Sequence, residues 1–435
     1  MNILTVSKWE FPGGAETSAY NLFQEYRQLG HQSWLTVGTK RTDNSDIFEI
    51  PRWKWPSSLS KYLRAWRDQN TRKNTLAHRF VGYASVLPVL PHYINQIRGH
   101  EDFFYPGTDR ILGQLPAKPD IIHCHNLHIN YFDIRVLPYL SKQASLIINM
   151  RDAWWLTGHC AYSGECERWK KGCGNCPDLA RHVSIAKDAS AYNHRVKMRA
   201  VSRTKYHLTA PSQWLLDQSN DSALGKYALS KRVVPNGIDT SVFYPVNQNA
   251  ARKHIGLDTN ARIVLFTGHH GYKDIATMSS ALGLLSAPSS KKPYLFLCIG
   301  KQGESQTLGH GSLRYLGFIS NPSLLRAYYA AADVYLHAAE GEAFGKTITE
   351  AMACGTPVVV TATGGVPEQV IHGRVGFIAE HKDALGLAYY MGKLLQDTGL
   401  RLKMGTAAAE HVERRYTIKR QVKQFVDWYA EILQQ

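Results

Sequence analysis

The chain has 435 residues, 44% hydrophobic and 20% charged. That composition excludes a disordered scaffold, and a length beyond the about 250–300 residues a single core sustains predicts two domains. With no short-period repeat and no run of about 18 apolar residues, a solenoid and a membrane-spanning helix are not expected, while a formal net charge of +16 points to anionic partners: nucleic acid, acidic lipid headgroups or phosphorylated substrates.

The opening MNILTVSK reads as a first strand, Met1–Ser7, and not as a signal peptide, so a cytoplasmic protein is expected. A tight turn at Pro12–Gly14, a helix over Glu16–Leu29 and a strand over Gln32–Val37 complete a βαβ unit of a parallel sheet. Residues 52–114 are irregular, aromatic and basic, and read as an insertion. Within them Arg52, Lys54, Lys61, Arg64, Arg67, Arg72, Lys73 and Arg79 face one acid, Asp68, with Trp53, Trp55, Tyr62 and Trp66 interleaved. Such a stretch suits peripheral contact with an anionic membrane, and secondarily single-stranded nucleic acid or a solvated helix. The apolar segment Val81–Ile94 is short and broken by Pro88 and Pro91. Regular structure resumes at Ile121-Ile122 and at Leu146–Met150.

A second βαβ series follows the turn Val234-Pro235-Asn236-Gly237-Ile238-Asp239. Strands are expected at Ile263–Thr267, Tyr294–Ile299, Val334–His337 and Pro357–Thr361. Helices are expected at Asp274–Leu285, Leu324–Ala331 and Lys346–Ala353. The expected architecture is α/β, two Rossmann-like doubly wound parallel-sheet domains facing each other across a cleft. Residues 1–235 are expected to form the first of these domains and 236–415 the second. The last helix, about Ile418–Leu433, within a segment 416–435, is expected to cross back to the first domain.

The strongest chemical signal is Glu342-Ala343-Phe344-Gly345-Lys346-Thr347-Ile348-Thr349-Glu350, followed by Ala351–Pro357. A strand ends near Ala338, glycine turns the chain, and a helix starts at Lys346. Its first turn offers unpaired N–H groups and the positive dipole end, an anion site suited to a diphosphate. Glu342 lies on the loop and Glu350 a turn inside the helix, so the two carboxylates take different jobs. Taken alone, they would read as two surface glutamates around an ordinary helix start.

This segment, with EAMACGTPVVVT and GGVPEQV at Gly364–Val370, resembles the E-x7-E motif of the family 4 retaining glycosyltransferases of GT-B fold. The resemblance extends over most of the chain. It implies Glu342 against the donor sugar and Glu350 on the ribose hydroxyls. It also implies backbone N–H groups around Phe344, Gly345 and Lys346 on the diphosphate or sugar. FPGGAETSAYNL at Phe11–Leu22 resembles the family's N-terminal glycine loop, where Gly13 and Gly14 allow close approach of phosphate or acceptor. VVPNGIDTSVFYP at Val233–Pro245 resembles its interdomain segment, a turn and a hinge. Lys273 in GHHGYKD matches the family's diphosphate-binding lysine. The arginine usual before it is missing, and His269 and His270 occupy that loop, with His269 the candidate donor contact. In PDIIHCHNLH the resemblance puts a histidine near the donor sugar. His125 is the first candidate, His123 and His128 the alternatives.

Seven cysteines without a signal peptide argue against a secreted disulfide framework. Cys124, Cys298 and Cys354 sit in apolar contexts and read as core. Cys160, Cys166, Cys173 and Cys176 have the spacing C-x5-C-x6-C-x2-C, which fits a structural zinc site, with local disulfides or free thiols as alternatives. The segment WWLTGHCAYSGECERWKKGCGNCPDL also resembles a subset of the family from bacterial exopolysaccharide and colanic-acid-type pathways. Those relatives commonly read Leu-His-Asp where this chain has Met150-Arg151-Asp152. That leaves Asp152 to orient acceptor or sugar hydroxyls.

The reaction implied is transfer of a hexose-type sugar with retention, the donor held between the domains and Lys273 neutralising the departing diphosphate. Catalytic residues are expected to be Glu342, His125 and Lys273. No Asp-x-Asp site is evident, so no cofactor is expected for catalysis. The expected partners are a nucleotide-sugar and a lipid-linked oligosaccharide acceptor in cell-surface polysaccharide synthesis, at the inner face of the membrane, without nucleic acid. Competing readings are a sugar-nucleotide epimerase or phosphorylase on the same fold, and a zinc-stapled nucleic-acid-binding protein.

Overall fold

The computed structural model describes all residues except 12, 52–61, 64, 67–80, 82–89, 102, 104, 258–259, 269–270 and 287–292. Most of the basic aromatic stretch, and both His269 and His270, therefore lie outside the described residues. The chain divides into two compact units. The first comprises residues 1–209, 218–231 and 432–435; the second comprises 210–217 and 232–431.

The first sheet consists of β1 (Asn2–Ser7), β2 (Gln32–Val37), β3 (Ile47–Glu49), β4 (Ile121–His125), β5 (Ser145–Asn149), β6 (His207–Ala210) and β7 (Lys231–Val233). Their spatial order is β3-β2-β1-β4-β5-β6-β7. β1 pairs in parallel with both β2 and β4. The chain thus winds outward from β1 in one direction, then returns to wind in the other. The reversal between β1 and β4 is a topological switch point, where open α/β sheets bind ligands beyond the carboxyl ends of their strands.

The second unit repeats the scheme with β8 (Arg262–Thr267), β9 (Tyr294–Ile299), β10 (Gln306–Leu308), β11 (Gly311–Gly317), β12 (Val334–His337), β13 (Val358–Thr361) and β14 (Gly376–Ala379). The order is β10-β11-β9-β8-β12-β13-β14, with the switch point between β8 and β12. Ile263, Leu265 and Tyr335 pack on one face of this sheet, Val264, Phe266 and Leu336 on the other. Burial on both faces explains why these strands read as continuous apolar runs instead of alternating ones. Two doubly wound parallel-sheet units are the architecture expected from the sequence.

Most expected elements fall within a residue or two of their observed ends. The sequence reading missed β3, β6, β7, β10, β11 and β14, and several helices, the longest of them Ser190–Val201, Ala384–Gln396 and Thr398–Arg415. The missed strands are mostly three or four residues long, too short to show a period. The helix Ile418–Leu433 is present as expected; its residues up to Glu431 group with the second unit and Ile432–Gln435 with the first. Its start is pinned to the Asn236–Asp239 turn: Ile238 N–H donates to Tyr416 O at 2.6 Å and Ile418 N–H to Ile238 O at 2.9 Å. Gly237 has to be small there, since a Cβ would stand 2.5 Å from Ile418 Cα.

Candidate active site

The switch point of the second unit collects the charged groups. β8 ends at Thr267 and β12 at His337, and the loops that follow are tied together. Asp274 N–H donates to Ala338 O at 3.1 Å, and Glu340 N–H to Tyr272 O at 2.7 Å. This brings Lys273 to Glu342: Nζ donates to Oε2 at 2.8 Å, with each side chain about a tenth exposed. Nζ also stands 3.4 Å from both ring nitrogens of His337, and His337 Nε2 lies 3.6 Å from Glu342 Oε2. Burial, and then the Lys273 charge, hold His337 well below the ordinary histidine range, so the ring is neutral beside the ammonium.

Gly345 then caps the helix Lys346–Ala353 with no side-chain hydrogen bond to its first turn. Phe344 turns its ring into the core, 5.8 Å from Tyr416, so only its backbone is available to a ligand. Glu350 lies inside the helix and is buried. Tyr329 donates its hydroxyl to Glu350 Oε2 at 3.1 Å, and Lys346 Nζ stands 3.6 Å from Oε1. Burial raises the Glu350 carboxyl; the Lys346 charge and the Tyr329 hydrogen bond oppose that rise. The turn after β13 closes over the loop: Gly365 N–H donates to Glu342 O at 2.9 Å, and a Cβ on Gly364 would stand 2.1 Å from the same oxygen. A cation, a neutral imidazole, two carboxylates and an uncapped helix start thus lie along one edge of one sheet.

Residues 247–411 match the family Glycosyl transferases group 1. They form a group 1 glycosyltransferase domain.

The D-inositol 3-phosphate glycosyltransferase of Acidothermus cellulolyticus is 31% identical over 198 residues, 42% of this chain and 44% of that protein. The N-acetyl-alpha-D-glucosaminyl L-malate synthase of Bacillus anthracis is 26% identical over 232 residues, 52% of this chain and 60% of that protein. The chain thus spans about half the length of these curated relatives. In fold the likeness runs the whole length. The sucrose-phosphate synthase from Thermosynechococcus elongatus superposes with a TM-score of 0.63 at 18% identity, covering 99% of this chain and 98% of that one. Anabaena Alr3699/HepE, solved in complex with UDP-glucose, gives 0.62 at 16% identity, covering 99% and 100%.

The group 1 domain thus holds Glu342, Glu350, Lys273, Phe344, Gly345 and Lys346 of the expected site. It adds His337 and Tyr329, which sequence reasoning missed. His337 carried a usable signal, since it is the last residue of a strand bordering the switch point; Tyr329 sits in a helix interior and carried none.

Gly13, Gly14 and His125 belong to the first unit. Gly13 caps the helix Gly14–Gln28 with φ 135°, and a Cβ there would meet the Glu16 carboxylate at 2.1 Å; Gly14 is open. His123 and His125 share a face of β4, their ring centroids 4.0 Å apart, with Cys124 on the opposite face. Both rings are fully buried and lowered well below the ordinary range, His123 by burial and Arg151, His125 by burial, His123 and Arg151. Arg151, the departure from the Leu-His-Asp pattern, donates to His125 Nδ1 at 2.9 Å and to Ser18 Oγ at 3.3 Å. A guanidinium only donates, so Nδ1 is the acceptor and Nε2 carries the proton. That N–H is buried without a hydrogen-bond partner among the described residues. Asp152, expected to orient hydroxyls, accepts from Trp154 N–H at 2.9 Å and lies 3.1 Å from His128 Nε2. Deeper still, the buried Lys197 ammonium donates to Trp154 O at 2.7 Å and lies 3.7 Å from Glu101.

The four clustered cysteines are free thiols. With His159 they line one cavity. Among the described residues no group of three or more His, Cys, Asp or Glu side chains is placed to hold a metal ion, so the side chains as they stand do not form the zinc site expected at Cys160, Cys166, Cys173 and Cys176. No described helix is long and apolar enough to cross a membrane.

Proposed function

We propose that the protein is a retaining glycosyltransferase that moves a hexose-type sugar from a nucleotide-sugar to an acceptor hydroxyl. The observation that carries this is the Lys273–Glu342–His337 cluster beside an uncapped helix start. An ammonium and first-turn amides together suit a diphosphate whose charge grows as the glycosidic bond breaks. In this reading the diphosphate lies on the amides of Gly345, Lys346 and their neighbours, and competes with Glu342 for Lys273. Glu350, steadied by Tyr329 and Lys346, accepts from the ribose hydroxyls. Glu342 accepts from the sugar. The His125 N–H, oriented by Arg151, donates to a sugar oxygen. The anomeric carbon–oxygen bond breaks toward the diphosphate. The acceptor hydroxyl forms the new bond on the same face, and its proton passes to the departing phosphate.

The relatives named above are glycosyl-transfer enzymes by name, and Alr3699/HepE binds UDP-glucose. WaaG, a glycosyltransferase involved in lipopolysaccharide biosynthesis, shares the fold with a TM-score of 0.58 at 17% identity, covering 97% of this chain and 98% of that one. The curated relatives are named for small acceptors, inositol 3-phosphate and L-malate; for this chain we propose a lipid-linked oligosaccharide acceptor at a membrane surface, a role the net charge of +16 suits.

The test is a thermal-shift screen of UDP-, GDP- and ADP-sugars on the wild type and on Glu350→Ala. One nucleotide class should stabilise the wild type and lose its effect in the variant. Equal shifts in both proteins, or conversion of the donor to an epimer without any acceptor, would overturn the reading.

A further inference from the structure

The loop between β5 and the helix Ser190–Val201 holds four thiols that glycosyl transfer does not use. His159 organises them. Its Nδ1 stands 2.6 Å from Val183 O. A carbonyl only accepts, so Nδ1 carries the proton and Nε2 presents its lone pair. That nitrogen lies 3.3 Å from Cys176 Sγ and 3.6 Å from Cys160 Sγ. Zinc–sulfur bonds of about 2.3 Å and zinc–nitrogen bonds of about 2.0 Å, set at a tetrahedral angle, hold sulfur and nitrogen about 3.5 Å apart. Both observed separations match that edge. A ring whose other N–H is anchored on a backbone carbonyl is also how metal-bound imidazoles are usually oriented.

Cys173 joins from the same cavity, its Sγ accepting from Gly158 N–H at 3.1 Å. Four consecutive residues, Gly172, Cys173, Gly174 and Asn175, have positive φ and curl the backbone tightly between the last two thiols. Burial, and then the neighbouring thiols, push the Cys160 thiol up to about 12 against the opposing charges of Arg181 and Lys197, so its proton is displaced by the metal and not given up beforehand.

We propose that His159, Cys160, Cys173 and Cys176 bind one zinc ion that staples this loop. The thiols reach the ion by rotating about their Cα–Cβ bonds between staggered positions. Three thiols give their protons to solvent and the neutral imidazole gives none. The dication and three thiolates then carry one net negative charge, which Lys197 and Arg181 offset. Cys166 lines the same cavity and is left outside the proposed set because four ligands complete the tetrahedron.

Zinc content needs no donor to be read, so this stands or falls apart from the transfer reaction. The full-length protein, free of added histidine tags, should retain about one zinc per chain by inductively coupled plasma mass spectrometry. Cys173→Ser, Cys176→Ser and His159→Ala should lose it, and Cys166→Ser should keep it. Should the variants fail to fold, cobalt loaded into the wild type should give a tetrahedral spectrum with the charge-transfer intensity of three thiolates. Zinc-free protein whose thiols react equally fast with and without added zinc overturns the proposal, as does a mass deficit from disulfides. Loss of zinc in Cys166→Ser to the extent seen in Cys173→Ser overturns the ligand set.

Discussion

Lys273 and Glu342 are 69 residues apart in the chain, yet the ammonium donates to the carboxylate at 2.8 Å. The contact exists because parallel strands β8 and β12 end side by side and their following loops are hydrogen-bonded. Lys273→Met leaves the carboxylate mostly buried without its cation. Stability should fall by about 3 kcal/mol, the scale for breaking a buried pair, and donor turnover by about 100-fold. Adding Glu342→Gln should restore part of the stability and none of the turnover. Urea unfolding beside donor consumption reads both; full recovery of turnover in the double variant would remove Lys273 from the reaction.

Glu350 depends on a phenol that no motif contains. Tyr329→Phe removes the hydrogen bond to Oε2 and should cost about 1 kcal/mol of stability. The same change should weaken binding of the stabilising nucleotide about tenfold by calorimetry, while Tyr328→Phe, one residue along the same helix, should change neither.

Glu342 and Lys273 were legible in the sequence because each sits by a glycine-marked turn after an apolar strand, and Glu350 because the E-x7-E spacing puts it one turn into the helix that follows. Such turns fix where a side chain emerges. Tyr329 and Arg151 were not, for a different reason, while His337 was readable as a strand-end residue and was overlooked. The roles of Tyr329 and Arg151 come from partners 21 and 26 residues away, joined by helix packing or strand adjacency that no local spacing encodes. His159 shows the same limit: four cysteines drew attention to themselves, while the ring between them is defined by a carbonyl 24 residues on.

His123, His125 and His337 are buried and held neutral, their proton affinity lowered by burial and then by neighbouring cations or imidazole. In the unfolded chain each titrates near about 6.5. Below that pH the unfolded state takes up protons that the folded state refuses. Stability is therefore fully present above about pH 6.5 and falls with pH, by up to about 1.4 kcal/mol per pH unit for each ring. Urea midpoints at pH 7.5 and 5.5 should show the loss, and His337→Asn should lower the pH dependence by about a third. An unchanged slope would mean that His337 is protonated in the folded protein.

Gly364 tests whether the turn after β13 sets the position of Glu342. Its φ of +58° is left-handed, and a Cβ would lie 2.1 Å from the Glu342 carbonyl oxygen. Gly373 has a similar φ of +75° with open space around it. Alanine at Gly373 should cost about 1 kcal/mol for the backbone alone. Alanine at Gly364 carries that same cost, and in addition must push the Glu342 main chain away. We expect about 3 kcal/mol or more of lost stability there, and a fall in donor turnover that Gly373→Ala does not share. Equal losses in the two variants, by thermal unfolding and by turnover, would show that Glu342 is positioned by its contact with Lys273 and not by the glycine turn.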